Sequence, residues 1–198
     1  TAHLLARPPR GVRDLGTFWA RRIHRLLPAA LTVLVVTAAA TRLLAPSTQW
    51  AATAKEILAS AFYVQNWLLA GSSVDYHAGD QAPSPVQHYW SLSIEEQFYL
   101  FFPPLLFLLL TRGGRRIALI VLGLIALASL ALAEAGWRLR PEENFFFTPS
   151  RIWELLAGSL AALGICLRPL APRGVPAALG LAMILGSLVI LPGLPSPS

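Results

Sequence analysis

Apolar residues run in long blocks along this chain, with polar residues gathered between the blocks and not alternating inside them. Such blocks predict helices that are buried all round or set in lipid, whereas a membrane barrel would need strict alternation. Five blocks approach the roughly 20 residues that cross a bilayer core: residues 26–44, 98–110 with its flank, 117–135, 152–167 and 175–191. A sixth, 57–70, is shorter and carries Gln65 and Asn66 near its middle. Backbone in lipid must satisfy its own hydrogen bonds, so each crossing segment is expected to be helical. The pattern predicts an all-α, polytopic transmembrane helix bundle of about five spans plus one short re-entrant or interfacial helix.

Composition supports the membrane reading. Of 198 residues, 55% are hydrophobic and only 13% charged, against about 25% charged in ordinary soluble domains. The net charge is +6, and among the 16 Lys plus Arg residues only Lys55 is a lysine. A basic chain can signal nucleic acid, but these arginines sit in short clusters between apolar blocks, where cytoplasmic loops carry them. No nucleic-acid partner is expected. With the basic head (Arg7, Arg10, Arg13, Arg21, Arg22, Arg25) in the cytoplasm, the positive-inside bias is stronger if 57–70 turns back without crossing. The loop 71–93 then lies outside. A turned-back segment must rest on protein or a wet cavity, so a cavity is expected. The single cysteine, Cys166, lies in an apolar run and has no internal disulfide partner. No signal-peptide core opens the chain, which begins at Thr1. Residues 1–198 are expected to be one partial membrane domain that lacks helices at both ends.

Candidate chemistry clusters in three places. In HYWSLSIEEQFYL (residues 88–100), Ser93 and Glu96 have capping-box spacing, and acidic groups suit a helix start. Neighbours on a helix point about 100° apart, so one carboxylate can cap while the other faces the bundle. Pro103 and Pro104 then remove the backbone bonds to the carbonyls of Tyr99 and Leu100. Second, Arg22 and Arg25 are three apart on one helix face, and arginine's planar fork suits phosphate oxygens; the same residues also suit anionic lipid headgroups. His24 between them reads as an interfacial polar residue. Third, Thr148 and Pro149 give a helix start, and Arg151 pairs with Glu154 at the mouth of a span, with Trp153 at the interface. Glu95, Glu96 and His88 are the candidate catalytic groups, since a histidine titrates near neutrality. Trp90, Ser91, Arg151 and Glu154 are candidates for a polar interior that receives the acceptor. Tyr89, Trp90, Phe98 and Tyr99 read as an aromatic belt. Asp75, His77, Asp80 and His88 match no zinc or calcium spacing, so no metal is expected.

Three stretches in order carry a resemblance: FWARRIHRLLPAALTVLVV (18–36), WSLSIEEQFYL (90–100) and FFFTPSRIWELLAGSLAA (145–162). Together they resemble the integral-membrane acyltransferase family 3, the O-acyltransferases of bacterial surface carbohydrates. The resemblance implies transfer of an acyl group, commonly acetyl, from acyl-coenzyme A to a sugar hydroxyl, with no separate cofactor. Acyl-coenzyme A, a carbohydrate or glycolipid acceptor and membrane lipids are the implied partners. It also implies a multi-pass protein of the cell membrane with about ten spans. Arg22 and Arg25 would meet the donor at the cytoplasmic end. The family's proposed catalytic histidine lies on a helix upstream of the basic motif, and no stretch here matches that helix; His3 sits in no apolar span. From the residues alone, a glycolipid transporter or flippase uses kinked helices and intramembrane charges equally well, and a structural membrane subunit is a third reading.

Overall fold

The computed structural model describes residues 12–72 and 84–165, with Leu181, Leu185 and Gly186 beyond them. The chain divides into two units, residues 1–160 and 161–198; the second contributes the end of the last helix and the three isolated positions. Every described element is a helix.

The arginine-bearing head and the apolar block after it form one helix, α1, Val12–Leu44, of 33 residues. At 1.5 Å per residue it is about 50 Å long, more than the roughly 30 Å of a hydrocarbon core. Pro46, in extended conformation, ends the run and starts α2, Ser47–Ala61, which folds back on α1. Ile57 and Ala61 pack there against a buried cluster of Ala30, Leu34, Val86 and Tyr89. The junction is pinned by Trp50, whose indole N–H donates to the Ala45 carbonyl at 3.1 Å while Arg42 stacks on its ring.

The apolar segment 57–70 is broken. α2 stops at Ala61, Tyr63 takes a left-handed φ of 55°, and α3 covers only Gln65–Ser72. Eight residues of helix reach about 12 Å, too short to cross. Next come α4, Tyr89–Arg112, and α5, Gly114–Leu139, joined at Gly114 with φ of 68°. Only glycine takes that conformation without a side-chain clash. A short α6, Pro141–Phe146, leads into α7, Thr148–Ile165. Gly136 lets α6 close on α5: a side chain there would strike Asn144, whose amide donates to the Ala133 carbonyl at 3.0 Å.

Three helices, α1, α4 and α5, are long and apolar enough to cross a membrane. They contain the expected spans 26–44, 98–110 and 117–135. The block 152–167 begins inside α7, and of 175–191 only Leu181, Leu185 and Gly186 are described. About five spans is therefore more than these helices establish. Large apolar side chains stand on their outer faces, among them Val35 at 67%, Phe101 at 68% and Leu127 at 64% exposed. Water would penalise so much greasy surface, and hydrocarbon does not.

Candidate functional site

The carboxylates of the stretch 88–100 do not cap a helix. α4 starts at Tyr89, so Ser93 lies a full turn inside it and returns its hydroxyl to the Tyr89 carbonyl at 2.8 Å. The capping-box expectation fails because the helix begins earlier. Glu96 is thereby free to look across to α1, where Arg22 meets it. Arg22 Nε donates to both carboxylate oxygens, at 2.8 and 3.1 Å, and Nη2 lies 2.7 Å from Oε1. Both side chains are largely shielded, at 22% and 18% exposure. Glu95 stands at the rim, half-exposed and 3.8 Å from Arg22.

Proline chemistry braces this joint. Pro103 has no N–H to offer Tyr99 four residues back, and the orphaned Tyr99 carbonyl takes the Trp19 indole N–H at 2.9 Å instead. The Tyr99 ring lies 3.6 Å beneath the Arg22 guanidinium, a geometry that stabilises a shielded cation. The backbone defect in α4 thus becomes a second tie to α1, one turn from the ion pair.

Beside Glu96, Gln97 closes a ring of hydrogen bonds that the sequence did not announce. Its amide donates to Asn66 Oδ1 at 2.9 Å and to the Tyr63 carbonyl at 2.7 Å. Asn66 Nδ2 donates to Thr148 Oγ1 at 2.8 Å and to the Phe146 carbonyl at 3.1 Å. The Thr148 hydroxyl donates to Gln97 Oε1 at 2.8 Å, and the Trp67 indole reaches the same oxygen at 3.1 Å. Every donor and acceptor has a use, the condition under which a buried polar network stabilises rather than costs. The ring ties α3, α4 and the head of α7 together, so Thr148 serves its neighbours and not its own helix start. A cavity of about 260 Å³ opens beside it, walled by Trp67, Phe98, Phe102, Leu122 and Ile152, with Gln97 and Thr148 at its edge.

The remaining expectations sort as follows. Arg151 and Glu154 do pair, at 2.7 Å, and Arg151 also donates to the Phe145 carbonyl. Trp90 packs on Phe145 and Phe146, with Arg151 5.8 Å from its ring. Of the two arginines expected on one helix face, Arg22 is held by Glu96 and Arg25 is exposed. The expected topology, with the basic head inside and the loop 71–93 that leads to Glu95 and Glu96 outside, does not hold for Arg22, which meets Glu96. The aromatic belt is also corrected. Tyr89 is buried with its hydroxyl on the Ala30 carbonyl, Phe98 is buried and stacked on Phe102, and Tyr99 sits under Arg22. His88 and Ser91 are exposed at the start of α4, Ser91 returning a bond to the His88 carbonyl. Asp75, His77, Asp80 and Cys166 lie outside the described residues.

A helical membrane domain built round a shielded arginine–carboxylate joint matches the family model described as an acyltransferase domain over residues 1–195, and the chain belongs to that family, acyltransferase family 3. Among curated relatives it is 37% identical over 156 residues to "Putative O-acetyltransferase SACOL0978" of Staphylococcus aureus strain COL, which covers 77% of this chain and 25% of the relative. It is 36% identical over 151 residues to O-acetyltransferase OatA of Staphylococcus aureus strain NCTC 8325, covering 75% and 25%. The chain thus spans about a quarter of the length of these relatives. No solved structure matches.

Proposed function

We propose that this chain is part of a multi-pass cell-membrane O-acyltransferase that moves an acetyl group from acetyl-coenzyme A to a hydroxyl of a carbohydrate or glycolipid. Family membership and the names of the relatives support the reaction class. The observation that carries the assignment to a site is the Arg22–Glu96 joint. Glu96 takes Nε and Nη2 of Arg22, which fixes the guanidinium and leaves its Nη1 edge for a phosphate oxygen of the donor. Arg25, one turn on and exposed, adds a second positive charge on the approach. Glu96 is therefore a positioning residue. Glu95, loosely held at the rim, is the carboxylate free to take the acceptor's proton. Trp90 with Arg151 and Glu154 form the wall on which a sugar ring stacks.

In the reaction the acceptor oxygen forms a bond to the thioester carbonyl carbon, the carbon–sulfur bond breaks, and the acceptor's proton ends on the departing thiolate. The complete polypeptide in membranes, given labelled acetyl-coenzyme A and envelope carbohydrate, should place label on the carbohydrate. Arg22→Ala and Arg25→Ala should each raise the KM for the donor. Membranes that move a labelled glycolipid between leaflets and transfer no acetyl would overturn the reading in favour of a flippase.

A further inference from the structure

A second cavity, of about 380 Å³, shares no residue with the one beside the Gln97 ring. Its walls include Ser72, Gln87, Trp137, Glu142, Phe145 and Phe146, and its size falls among ligand pockets of about 300–1,000 Å³. It lies at one end of the α4–α5 pair: Gln87 stands just before α4 begins, and Trp137 in the last turn of α5. The turn at the opposite end of that pair carries Arg112, Arg115 and Arg116, the mark of a cytoplasmic boundary. The cavity therefore opens toward the outer face, where a surface carbohydrate is met.

Two kinds of group line it. Trp137 and Phe145 are exposed aromatics. Beside them stand a hydroxyl (Ser72), a carboxamide (Gln87) and a carboxylate (Glu142), which between them donate and accept hydrogen bonds. A hexose ring has the matching surface: a face of C–H groups that stacks on an aromatic ring, and a rim of hydroxyls that donate and accept. A lipid tail uses only the aromatic walls. An anion, a lipid phosphate included, meets the Glu142 charge, and the neighbouring Arg138 and Arg140 are paired with Glu134 and Glu143. The cavity is also continuous with the wall assigned to the acceptor above, because Phe145 and Phe146 pack on Trp90 with ring centroids 4.9 and 5.5 Å away.

We propose that this cavity is a second sugar subsite, in which one unit of a carbohydrate chain stacks on Trp137 and hydrogen-bonds Gln87 and Glu142 while the adjoining unit lies against the Trp90 wall. The proposal rests on the acyl-transfer reading above and narrows its acceptor to a chain of at least two sugar units. A unit held in the cavity makes the same contacts before and during the reaction of its neighbour. Such binding lowers the KM of a longer acceptor and leaves kcat unchanged.

The test uses the complete polypeptide in membranes, labelled acetyl-coenzyme A and two acceptors: intact envelope carbohydrate and the single sugars released from it by hydrolysis. Trp137→Ala should raise the KM for the intact carbohydrate about tenfold, the loss expected of an aromatic anchor. The donor KM and kcat should stay within about twofold, and transfer to single sugars, which do not reach both subsites, should not change. Trp137→Phe keeps a stacking face and should recover most of the loss. Should Trp137→Ala fail to accumulate, Ser72→Trp fills the cavity, keeps its aromatic walls and should raise the same KM. A KM for intact carbohydrate within about twofold of wild type in these variants overturns the subsite and leaves the transfer reading standing. A lower melting temperature with that KM unchanged does the same, because the cavity then serves packing or lipid. Wild-type membranes that transfer no acetyl to either acceptor overturn both.

Discussion

Three ion pairs among the described residues share one contact distance, and two of them differ most in setting. Arg22 and Glu96 approach to 2.7 Å, and so do Arg138 and Glu134. The first joins residues 74 positions apart on different helices, with both side chains largely shielded. The second joins residues one turn apart on α5, at 74% and 63% exposure. Distance alone gives them equal weight, and environment separates them. Water screens the α5 pair, and two long side chains lose freedom in forming it, so it contributes little. The α1–α4 pair is shielded by the Tyr99 ring and braced by Trp19, and removing one member strands a charge with few alternative partners.

Arg22→Ala breaks the stronger side of this comparison and should have the largest effect. The complete protein should lose about 2–3 kcal/mol of stability, part of the loss seen for fully buried pairs, read as a lower melting temperature in detergent. Arg22→Lys restores the charge but neither the fork toward Glu96 nor the planar stack on Tyr99. It should recover under half of the loss.

Asn66→Ala should come next. Asn66 is fully buried and makes three side-chain hydrogen bonds, so its removal leaves Gln97 and Thr148 half-paired. The expected loss is about 1–3 kcal/mol. Asn66→Asp, which keeps the shape but cannot donate to both Thr148 and the Phe146 carbonyl, should be at least as damaging. If Asn66→Ala melts with the wild type, the ring adds nothing to holding α3 against α4.

These contrasts also mark what the sequence could reveal. The Arg151–Glu154 pair was legible because both partners sit on one helix, three residues apart. The three long apolar helices were legible from their length, and the broken segment 57–70 from its short run and its Gln65–Asn66 pair. The Arg22–Glu96 joint was not, although both residues stood out, because spacing along the chain says nothing of which distant helices meet. The capping box misled because Ser93 and Glu96 satisfy a local pattern that the earlier helix start at Tyr89 makes irrelevant. Gln97 and Thr148 were passed over as sites since their roles come from partners more than 30 residues away. One signal was available: Pro103 orphans the Tyr99 carbonyl, and a carbonyl inside a membrane helix needs a donor from elsewhere.

A double-mutant cycle at Arg138 and Glu134 sharpens the weak side. Its coupling should be about 0.3–0.5 kcal/mol and shrink further in high salt. The same cycle at Arg22 and Glu96 should give several times more, with little salt dependence. Equal couplings would mean that shielding by Tyr99 and Trp19 has no energetic consequence.

Glu56 supplies the smallest and most conditional effect, because its weight changes with pH. It lies on α2, outside the three membrane-length helices, and burial pushes its carboxyl above the ordinary range while a hydrogen bond from Gln65 pulls it partly back. Between the unfolded value and the raised folded one, the native protein holds a proton that the unfolded chain has released. Stability therefore falls as pH rises through that window and levels off above it. Glu56→Gln keeps an acceptor for Gln65 and removes the ionisation. The variant should melt above wild type at pH 7 by less than about 1 kcal/mol, and the gap should close as the pH drops toward 4. A gap that is constant with pH would assign the effect to packing. A gap that widens in acid would mean that the fold favours the Glu56 carboxylate over the carboxylic acid, and the expected sign would fail.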